Sequence, residues 1–406
     1  MLRKFNRREV AALLPGALFA AKARPARAQG ASVIKVGLIQ PMSGNLSPYA
    51  QEGQPVIEYL FDKINSEGGI KSMGGARIQA VLADDSSEPA RAAIEARRLA
   101  TQENVSVMMG TLLSSQMLGI SPVVDEYKVP TVALWAGGAK AEYLYSLGFP
   151  YDRGYAKSMA DFAKDTGKVK TAVVCCSDFS AGQAVSKFLH QMLAAHGIKV
   201  LADVPLDTKA PDHTAAMLRI RSLKPDATIG LLQPRDGILL MQARYNLHYN
   251  DGIFIGNSPY SDVVIWRELG ADIGGAVLPN KVFGMASFSE GAKIAAVQDL
   301  LKDLKANAKL KSAIGQAAIQ AAQGVRVLQL ALEAAGSADR QAIFKAIGQV
   351  KIPFGDKYLY LSRPGGLSFG QDRMPQDATS MMVQWTADQK HQVVWPSQYA
   401  EAKPRI

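Results

Sequence analysis

The sequence predicts an α/β protein of two lobes, each built on a doubly wound parallel sheet with helices on both faces. The main observation is a regular alternation of short β-rich runs with segments that have apolar residues at helical spacing. Parallel strands need a crossover between them, usually a helix, so this alternation is typical of parallel sheets. It occurs in two blocks separated near Tyr151, which predicts two sheets and therefore two lobes.

Each block contains four strand-like runs. In the first block they are Val33–Ile39, Ile78–Leu82, Val105–Met109 and Thr131–Leu134, with helical patterns at Tyr49–Asn65, Pro89–Gln102 and Ser114–Tyr127. In the second block they are Thr171–Cys176, Lys199–Val204, Ala227–Leu232 and Ile253–Ile255, with helical patterns at Ala181–His196, Thr214–Ser222 and Ile238–His248.

The last part of the chain has a different pattern. Long helical patterns at Glu290–Ala306, Ser312–Ala335 and Ala338–Ile347 precede a predicted β-hairpin of Ser380–Trp385 and His391–Trp395. These helices have no third sheet to cover, so they are expected to pack on an earlier lobe. The chain must therefore cross between the lobes more than once.

The composition and the N-terminal segment predict an exported globular protein. The chain has 406 residues, 48% of them hydrophobic, and two cysteines are too few for a disulfide scaffold or a cysteine-ligated zinc module. Seven basic residues within the first 28 account for most of the net charge of +10, so nucleic-acid binding is not indicated. The uncharged run Val10–Ala21 is too short to span a bilayer as a helix.

The segment 1–28 is predicted to be an export signal removed in the periplasm, because Ala26-Arg27-Ala28 has the small-x-small pattern of a cleavage site. The pair Arg7-Arg8 resembles a twin-arginine signal, although Asn6 stands where Ser or Thr is usual. An ordinary secretory signal with adjacent arginines is the alternative. The mature protein would start at Gln29.

Motifs for catalysis and for cofactors are absent from the sequence. There is no dinucleotide-binding or phosphate-binding glycine loop, no Gly-x-Ser-x-Gly elbow and no His-Glu-x-x-His. The five histidines lack ligand spacing and are expected to be solvated or capping residues. Cys175 and Cys176 are expected in the core, and Asp84 and Asp85 are expected to cap a turn. We therefore expect no enzyme activity, no cofactor and no metal site.

One segment has the features of a binding site. The strand Val105–Met109 runs into Gly110-Thr111-Leu112-Leu113-Ser114-Ser115, and a helix follows. Ligands of open parallel sheets bind at the carboxyl ends of strands, and a helix N-terminus favours an anion. The hydroxyls of Ser114 and Ser115 can either cap the helix or donate to a bound carboxylate.

Several segments, in this order and spacing, resemble the branched-chain amino-acid type of periplasmic solute-binding protein. They are Ile34–Gly44, Tyr49, Ile64–Ile70, Asp84-Asp85, Gly110–Ser115, Val129–Thr131 and Leu223–Asp226, followed by the long closing helices. The resemblance covers essentially the whole mature chain. It implies a type I periplasmic-binding fold with three crossovers, a ligand cleft between the lobes, and a partnership with the permease and ATPase subunits of an ABC importer.

The resemblance also assigns positions in the cleft. It implies that Ser114 holds a ligand carboxylate, that the loop Trp135–Ala139 adds polar contacts, and that Tyr49 lines the cleft. Four family positions differ here. A threonine becomes Gly138, a cleft tyrosine becomes Gln233, a cleft aromatic becomes Ala181 with Phe179 nearby, and the acidic residue that pairs with an ammonium becomes Ser258. Asp262 and Asp178 are the candidates to replace that acid.

These observations predict a monomeric binding protein for a small aromatic or branched carboxylate. Ser114, Ser115 and the amides of Gly137 and Gly138 would hold the carboxylate, and the apolar wall would comprise Leu113, Trp135, Tyr49 and Tyr260. An amino acid or small amide, contacted by Gln233 and Ser258, is the alternative ligand, and a ligand-sensing module is the alternative role. The predicted first lobe comprises residues 29–150 and 281–370, and the second comprises 151–280 and 371–406.

Overall fold

The structure is a computed structural model that describes residues 32–44, 46–110, 114–138, 141–307, 310 and 314–406. The predicted export signal lies outside the described residues. The strands are β1 (Val33–Gln40), β2 (Arg77–Asp84), β3 (Val107–Gly110), β4 (Thr131–Ala133), β5 (Leu144–Ser146), β6 (Thr171–Val174), β7 (Lys199–Asp203), β8 (Ala227–Gly230), β9 (Ile253–Gly256), β10 (Val282–Ala286), β11 (Lys351–Ile352), β12 (Leu367–Ser368), β13 (Met381–Trp385) and β14 (His391–Trp395).

The α-helices alternate with these strands, as the sequence predicts. They are α1 (Ser47–Ser66), α2 (Pro89–Thr101), α3 (Ser114–Glu126), α4 (Lys157–Asp165), α5 (Ser180–Ala195), α6 (Thr214–Leu223), α7 (Pro234–Asn246), α8 (Val263–Val277), α9 (Ala295–Ala306), α10 (Gln316–Ala335) and α11 (Arg340–Gln349). The α/β class and the predicted C-terminal hairpin are both confirmed.

The first sheet has the order β2-β1-β3-β4-β5, and all neighbouring strands are parallel. Its strand order reverses between β1 and β3, which is where open α/β sheets bind ligands. Helices α2 and α3 cover one face through residues such as Leu99 and Ile120. The other face packs against α1, α9, α10 and α11, so the closing helices join the first lobe as expected.

The second sheet has the order β14-β13-β10-β9-β8-β6-β7, and its order reverses between β6 and β8. Strands β6 to β10 are parallel to one another, whereas β13 and β14 are antiparallel additions. One face packs against α4 and α5, and the other packs against α6, α7 and α8. The carboxyl ends of β6 and β8 thus form the second lobe's equivalent of the β1–β3 crevice.

The chain passes between the two sheets after β5, again between β10 and α9, and again between β12 and β13. The predicted lobe boundary at residue 281 needs correction, because β10 pairs with β9 and β13 and therefore belongs to the second sheet. The return to the first lobe lies after Ala286.

A buried arginine connects two of the crossing segments. The guanidinium of Arg363 donates from Nη2 to the carbonyl of Leu147 at 3.1 Å and from Nη1 to that of Thr379 at 3.3 Å. Its Cζ lies 4.6 Å from the centroid of the Phe149 ring. Leu147 and Phe149 begin the first crossing and Thr379 ends the last one, so one side chain joins both segments.

Candidate functional site

The first part of the cleft forms where β3 and β4 end. The Ser114 hydroxyl, at the start of α3, accepts a hydrogen bond from the Gly137 amide at 3.2 Å. Gly110 makes this arrangement possible, because its φ is +132° and a Cβ there would lie 2.0 Å from the Ile39 carbonyl oxygen. The structure thus brings the predicted residues Ser114 and Gly137 together. Ser115 is exposed beside them, and Leu113 lies outside the described residues.

The loop that contains Trp135 and Gly138 is fixed from behind by buried polar side chains. Ser146 donates to the Ala136 carbonyl at 2.6 Å and accepts from the Gly148 amide at 3.0 Å. The Gln320 amide donates to the Leu134 carbonyl. Because these partners satisfy the inner side of the loop, its half-buried outer residues, Gly137 and Gly138, hold a defined position.

Aromatic side chains form the adjoining wall. The rings of Tyr49 and Trp135 meet edge to face, with centroids 5.7 Å apart. The Tyr49 hydroxyl donates to Asp262 Oδ2 at 3.4 Å, which joins the first lobe to the second. Burial, together with the nearby carboxyls of Asp262 and Glu52, raises the pKa of Tyr49 to about 12. Tyr49 therefore remains a neutral hydrogen-bond donor at physiological pH.

Acidic groups gather at this end of the cleft. The Glu52 carboxylate accepts from the Ala318 amide at 3.0 Å and so caps the N-terminus of α10. Burial raises the pKa of Glu52, and hydrogen bonds from the α10 amides oppose that shift. Burial lowers the pKa of His391, and the Asp262 charge opposes this change. Asp262 therefore acts on groups from both lobes.

The second lobe contributes the turns after β8 and β9. Ser258 is exposed on a short 3₁₀ turn, and its carbonyl accepts from the Asp262 amide at 2.7 Å. Asp262 thus lies on the same turn as the Ser258 position that the family resemblance associates with an acid. Gln233 is half-buried at the start of α7, where its backbone amide donates to the Ser177 hydroxyl at 2.9 Å. No described contact joins Gln233 directly to Ser114 or Trp135.

The structure contradicts the prediction that Tyr260 forms part of the apolar wall. Its side chain is only 2% exposed and packs in the core of the second lobe with Trp385 and Trp266. A Cβ on Gly256 would lie 2.7 Å from the Tyr260 ring, so the glycine leaves the space that the ring fills. Tyr260 therefore supports the Ser258 turn from inside the lobe.

Two further residues were not identifiable from sequence patterns. Tyr151 begins a π-helical turn in the first crossing and lies against Gly138, whose Cβ would be 2.5 Å from the tyrosine oxygen. His213 is 3% exposed and bonded to Asp236 at 3.1 Å, so it is not the solvated or capping histidine that the sequence suggests. Only the fold places these residues, because neither belongs to a motif.

The predictions for Asp84, Asp85 and the two cysteines agree with the structure. Asp84 accepts from the Ser86 amide and Asp85 from the Ser87 amide, both at 2.8 Å, so they cap the turn before α2. Cys175 and Cys176 are buried and unpaired. Within the described residues no cluster of side chains could hold a metal ion, and every helix there is too short or too polar to span a lipid bilayer.

Comparison with known proteins identifies the family. The model of the periplasmic binding protein family matches residues 33–390. The chain belongs to this family. It is 25% identical to Leu/Ile/Val-binding protein homolog 7 of Brucella suis, over 98% of this chain and 97% of that protein.

Solved structures with the same fold include two ligand complexes. The substrate-binding protein LivJ of Streptococcus pneumoniae, in complex with isoleucine, is 21% identical with a TM-score of 0.72 and covers 90% of this chain and 100% of its own. A solute-binding protein of Rhodopseudomonas palustris, in complex with 3,4-dihydroxy benzoic acid, is 19% identical with a TM-score of 0.70 and covers 92% of this chain and 99% of its own. The type I periplasmic-binding fold is thereby confirmed.

Family membership determines the general role of the protein. It is the substrate-binding protein of an ABC transporter, and members of this family are solute receptors of the periplasm, not enzymes. They bind small molecules and work with the membrane components of the transporter. The cleft around Ser114, Trp135 and Tyr49 is therefore the candidate solute site.

Proposed function

We propose that this periplasmic binding protein captures a small organic carboxylate between its lobes and presents it to an ABC permease. The Ser114–Gly137 pair at the N-terminus of α3 is the main support. A carboxylate placed there would take hydrogen bonds from the serine hydroxyl and from loop amides, and the helix dipole would favour its charge. Ser115 and Gly138 supply further donors beside the pair.

The size and polarity of the wall favour an aromatic or branched acid. The edge-to-face pair of Tyr49 and Trp135 presents apolar ring surface close to the proposed carboxylate site. Tyr151 lies against Gly138 and would close the opposite side. The isoleucine and the 3,4-dihydroxy benzoic acid held by the two related structures are both carboxylic acids with an apolar body.

An amino acid is the second candidate, and one observation favours it. Asp262 places a carboxylate within 3.4 Å of Tyr49 at the other end of the wall, on the turn that begins at Ser258. A ligand ammonium there would gain a charged partner that the sequence at Ser258 itself does not supply. Gln233 would add a neutral polar contact in either case.

Calorimetry with matched ligands tests the proposal and separates the two candidates. A thermal-shift screen of acids, amino acids and amides first finds a binding scaffold, because a specific ligand raises stability by mass action. An acid is then compared with its methyl ester, and a keto acid with the corresponding amino acid. The acid should bind at least tenfold tighter than the ester, and equal affinity would contradict the carboxylate site.

The keto acid should bind at least as tightly as the amino acid. If the amino acid binds tenfold tighter, and Asp262→Asn abolishes this preference, then Asp262 recognises an ammonium and the second candidate is correct. Asp272→Asn is the matched control, because Asp272 is an exposed aspartate on α8 of the same lobe. This control should change the affinity for neither the keto acid nor the amino acid.

We also propose that residues 1–28 are removed on export and that the mature protein is a monomer. The proposed first lobe comprises residues 29–150 and 287–370, and the second comprises 151–286 and 371–406, because β10 belongs to the second sheet. N-terminal sequencing of the periplasmic protein should give Gln-Gly-Ala-Ser. A full-length cytoplasmic product in the native host would exclude export.

A further inference from the structure

Three buried polar side chains form a chain of hydrogen bonds in the second lobe. His213 Nε2 lies 3.1 Å from Asp236 Oδ1, and the Ser177 hydroxyl donates to Asp236 Oδ2 at 2.5 Å. The Ser177 hydroxyl in turn accepts a hydrogen bond from the backbone amide of Gln233 at 2.9 Å. The exposed fractions of His213, Asp236 and Ser177 are 3%, 1% and 1%. Buried polar groups of this kind are costly unless every partner is present.

This chain of hydrogen bonds connects two neighbouring strands of the second sheet. Ser177 follows β6, Gln233 follows β8, and the strand order reverses between these two strands. The Ser177–Gln233 hydrogen bond therefore joins the two sides of the second lobe's crevice. Asp236 lies in the first turn of α7, and His213 precedes α6. The four residues thus connect the interior of the lobe to its ligand-facing edge.

The geometry does not suit nucleophilic catalysis. In a catalytic triad the serine donates to the imidazole, which removes its proton. Here Ser177 donates to the carboxylate, and the imidazole lies on the far side of Asp236. The imidazole does not contact the serine oxygen, so the order of the three groups is not that of a catalytic triad. The remaining function of the Ser177 hydroxyl in this arrangement is to accept a hydrogen bond from the backbone amide of Gln233.

We propose that His213 is a positioning residue for ligand binding, which acts through Asp236 and Ser177 to hold Gln233 at the cleft. The inference rests on the proposed function, in which Gln233 makes a polar contact with the ligand. Without the imidazole, Asp236 Oδ1 loses its buried partner and the carboxylate is free to turn toward other donors. Ser177 then no longer presents its oxygen to Gln233 in one fixed position.

Hydrogen exchange of the ligand-free protein tests the positioning directly. His213→Ala should accelerate exchange in the segment 231–237 by about tenfold or more, which is the effect of losing one hydrogen bond to a charged group. His213→Gln, which keeps an amide donor for Asp236, should restore most of the protection. Ser177→Ala removes both the acceptor for the Gln233 backbone amide and the donor to Asp236, so it should accelerate exchange in the same segment even if His213→Ala fails to fold.

His196→Ala is the matched control for these variants. His196 Nε2 contacts Asp161 Oδ1 at 2.7 Å in the same lobe, but His196 follows α5 and Asp161 lies within α4, and this contact includes no residue of the segment 231–237. His196→Ala should leave the rate of hydrogen exchange in the segment 231–237 unchanged. Wild-type protection of this segment in folded His213→Ala or Ser177→Ala protein would overturn the proposal. Equal acceleration in His196→Ala would do the same, because the effect would then be general.

A double-mutant cycle connects the positioning to binding. The probes are benzoate, phenylpyruvate, ketoisocaproate, leucine and isoleucine, used with the mature protein. For any probe that binds, His213→Ala should weaken binding about tenfold in the wild type but less than twofold in Gln233→Ala protein. A full tenfold loss in both backgrounds would show that His213 does not act through Gln233. If no probe binds, the proposed ligand class fails, whereas the exchange result still decides the positioning role.

Discussion

Replacing Arg363 with methionine should lower the free energy of unfolding, because Arg363 connects two of the segments that cross between the lobes. The carbonyls of Leu147 and Thr379 would each lose a hydrogen bond from a charged donor, although Leu147 would keep the one from the Gln320 side chain at 3.3 Å. Each loss costs about 1–3 kcal/mol. The contact with the Phe149 ring contributes about 1 kcal/mol more. The total loss is therefore about 5 kcal/mol.

Removal of the buried charge opposes this loss. Burial lowers the pKa of Arg363 to about 10 from an ordinary value of 12.5, so the folded protein spends about 3 kcal/mol on keeping the guanidinium charged. The net destabilisation expected for Arg363→Met is thus about 2 kcal/mol. Urea unfolding of the mature protein measures it as a lower midpoint with an unchanged slope.

Arg340 provides a control with similar contacts inside one lobe. It donates to the carbonyls of Val105, Tyr127 and Ala100 at 2.9–3.1 Å, and none of these lies in a crossing segment. Arg340→Met should also lower the urea midpoint. Only Arg363→Met should broaden the distribution of sizes that small-angle scattering gives for the ligand-free protein. Wild-type stability of Arg363→Met, or equal broadening in both variants, would show that Arg363 does not hold the two crossing segments together.

Further predictions concern the cleft and a buried acid. Ser114→Ala should weaken binding of an acid about tenfold to a hundredfold in calorimetry, whereas a similar affinity would exclude a direct hydrogen bond. Gly138→Ala should weaken binding at unchanged folding, because its Cβ would lie 2.5 Å from the Tyr151 oxygen. Saturating ligand should reduce the radius of gyration, and an unchanged scattering profile would contradict closure. Burial raises the pKa of Asp85 to about 6, so its contribution to stability is present below about pH 4 and is lost as the pH rises through 6. Asp85→Asn should therefore stabilise the protein by about 1–2 kcal/mol at pH 7 and not at pH 4, as measured by urea unfolding.

The sequence predicts most strands of both sheets, because buried parallel strands are short apolar runs between helices. It misses β5, which has only three residues, and β10, which contains Gly284. Gly284 is required by a contact with another segment, because a Cβ at this position would lie 2.6 Å from the Ser261 amide nitrogen. Helix α9 begins at Ala295, later than the periodicity from Glu290 suggests, because backbone groups before it bond elsewhere, as Lys293 does to Tyr399.

A site residue can be predicted from the sequence when its position depends only on the strand before it and the helix after it. Ser114 lies four residues after the end of β3, and its position at a helix N-terminus is visible in the sequence. Tyr260 and Asp262 are different, because they lie two residues apart on an irregular turn, where no periodicity shows which one faces the core. The structure buries Tyr260 and directs Asp262 to Tyr49. His213 depends on contacts between three separate elements, which no local pattern encodes.

The repeated crossing of the chain has a consequence for the order in which the protein can assemble. The core of the first lobe combines Ile34 with residues as distant as Phe369, and the second lobe is completed only by β14. Neither lobe is formed by one uninterrupted segment, so the first cannot complete its core before Phe369 is synthesised, and the second cannot complete its sheet before β14 is. Closing such long loops is slow. Folding of the two lobes is therefore coupled, because the strands β6 to β10 of the second lobe are synthesised before the closing helices that complete the first.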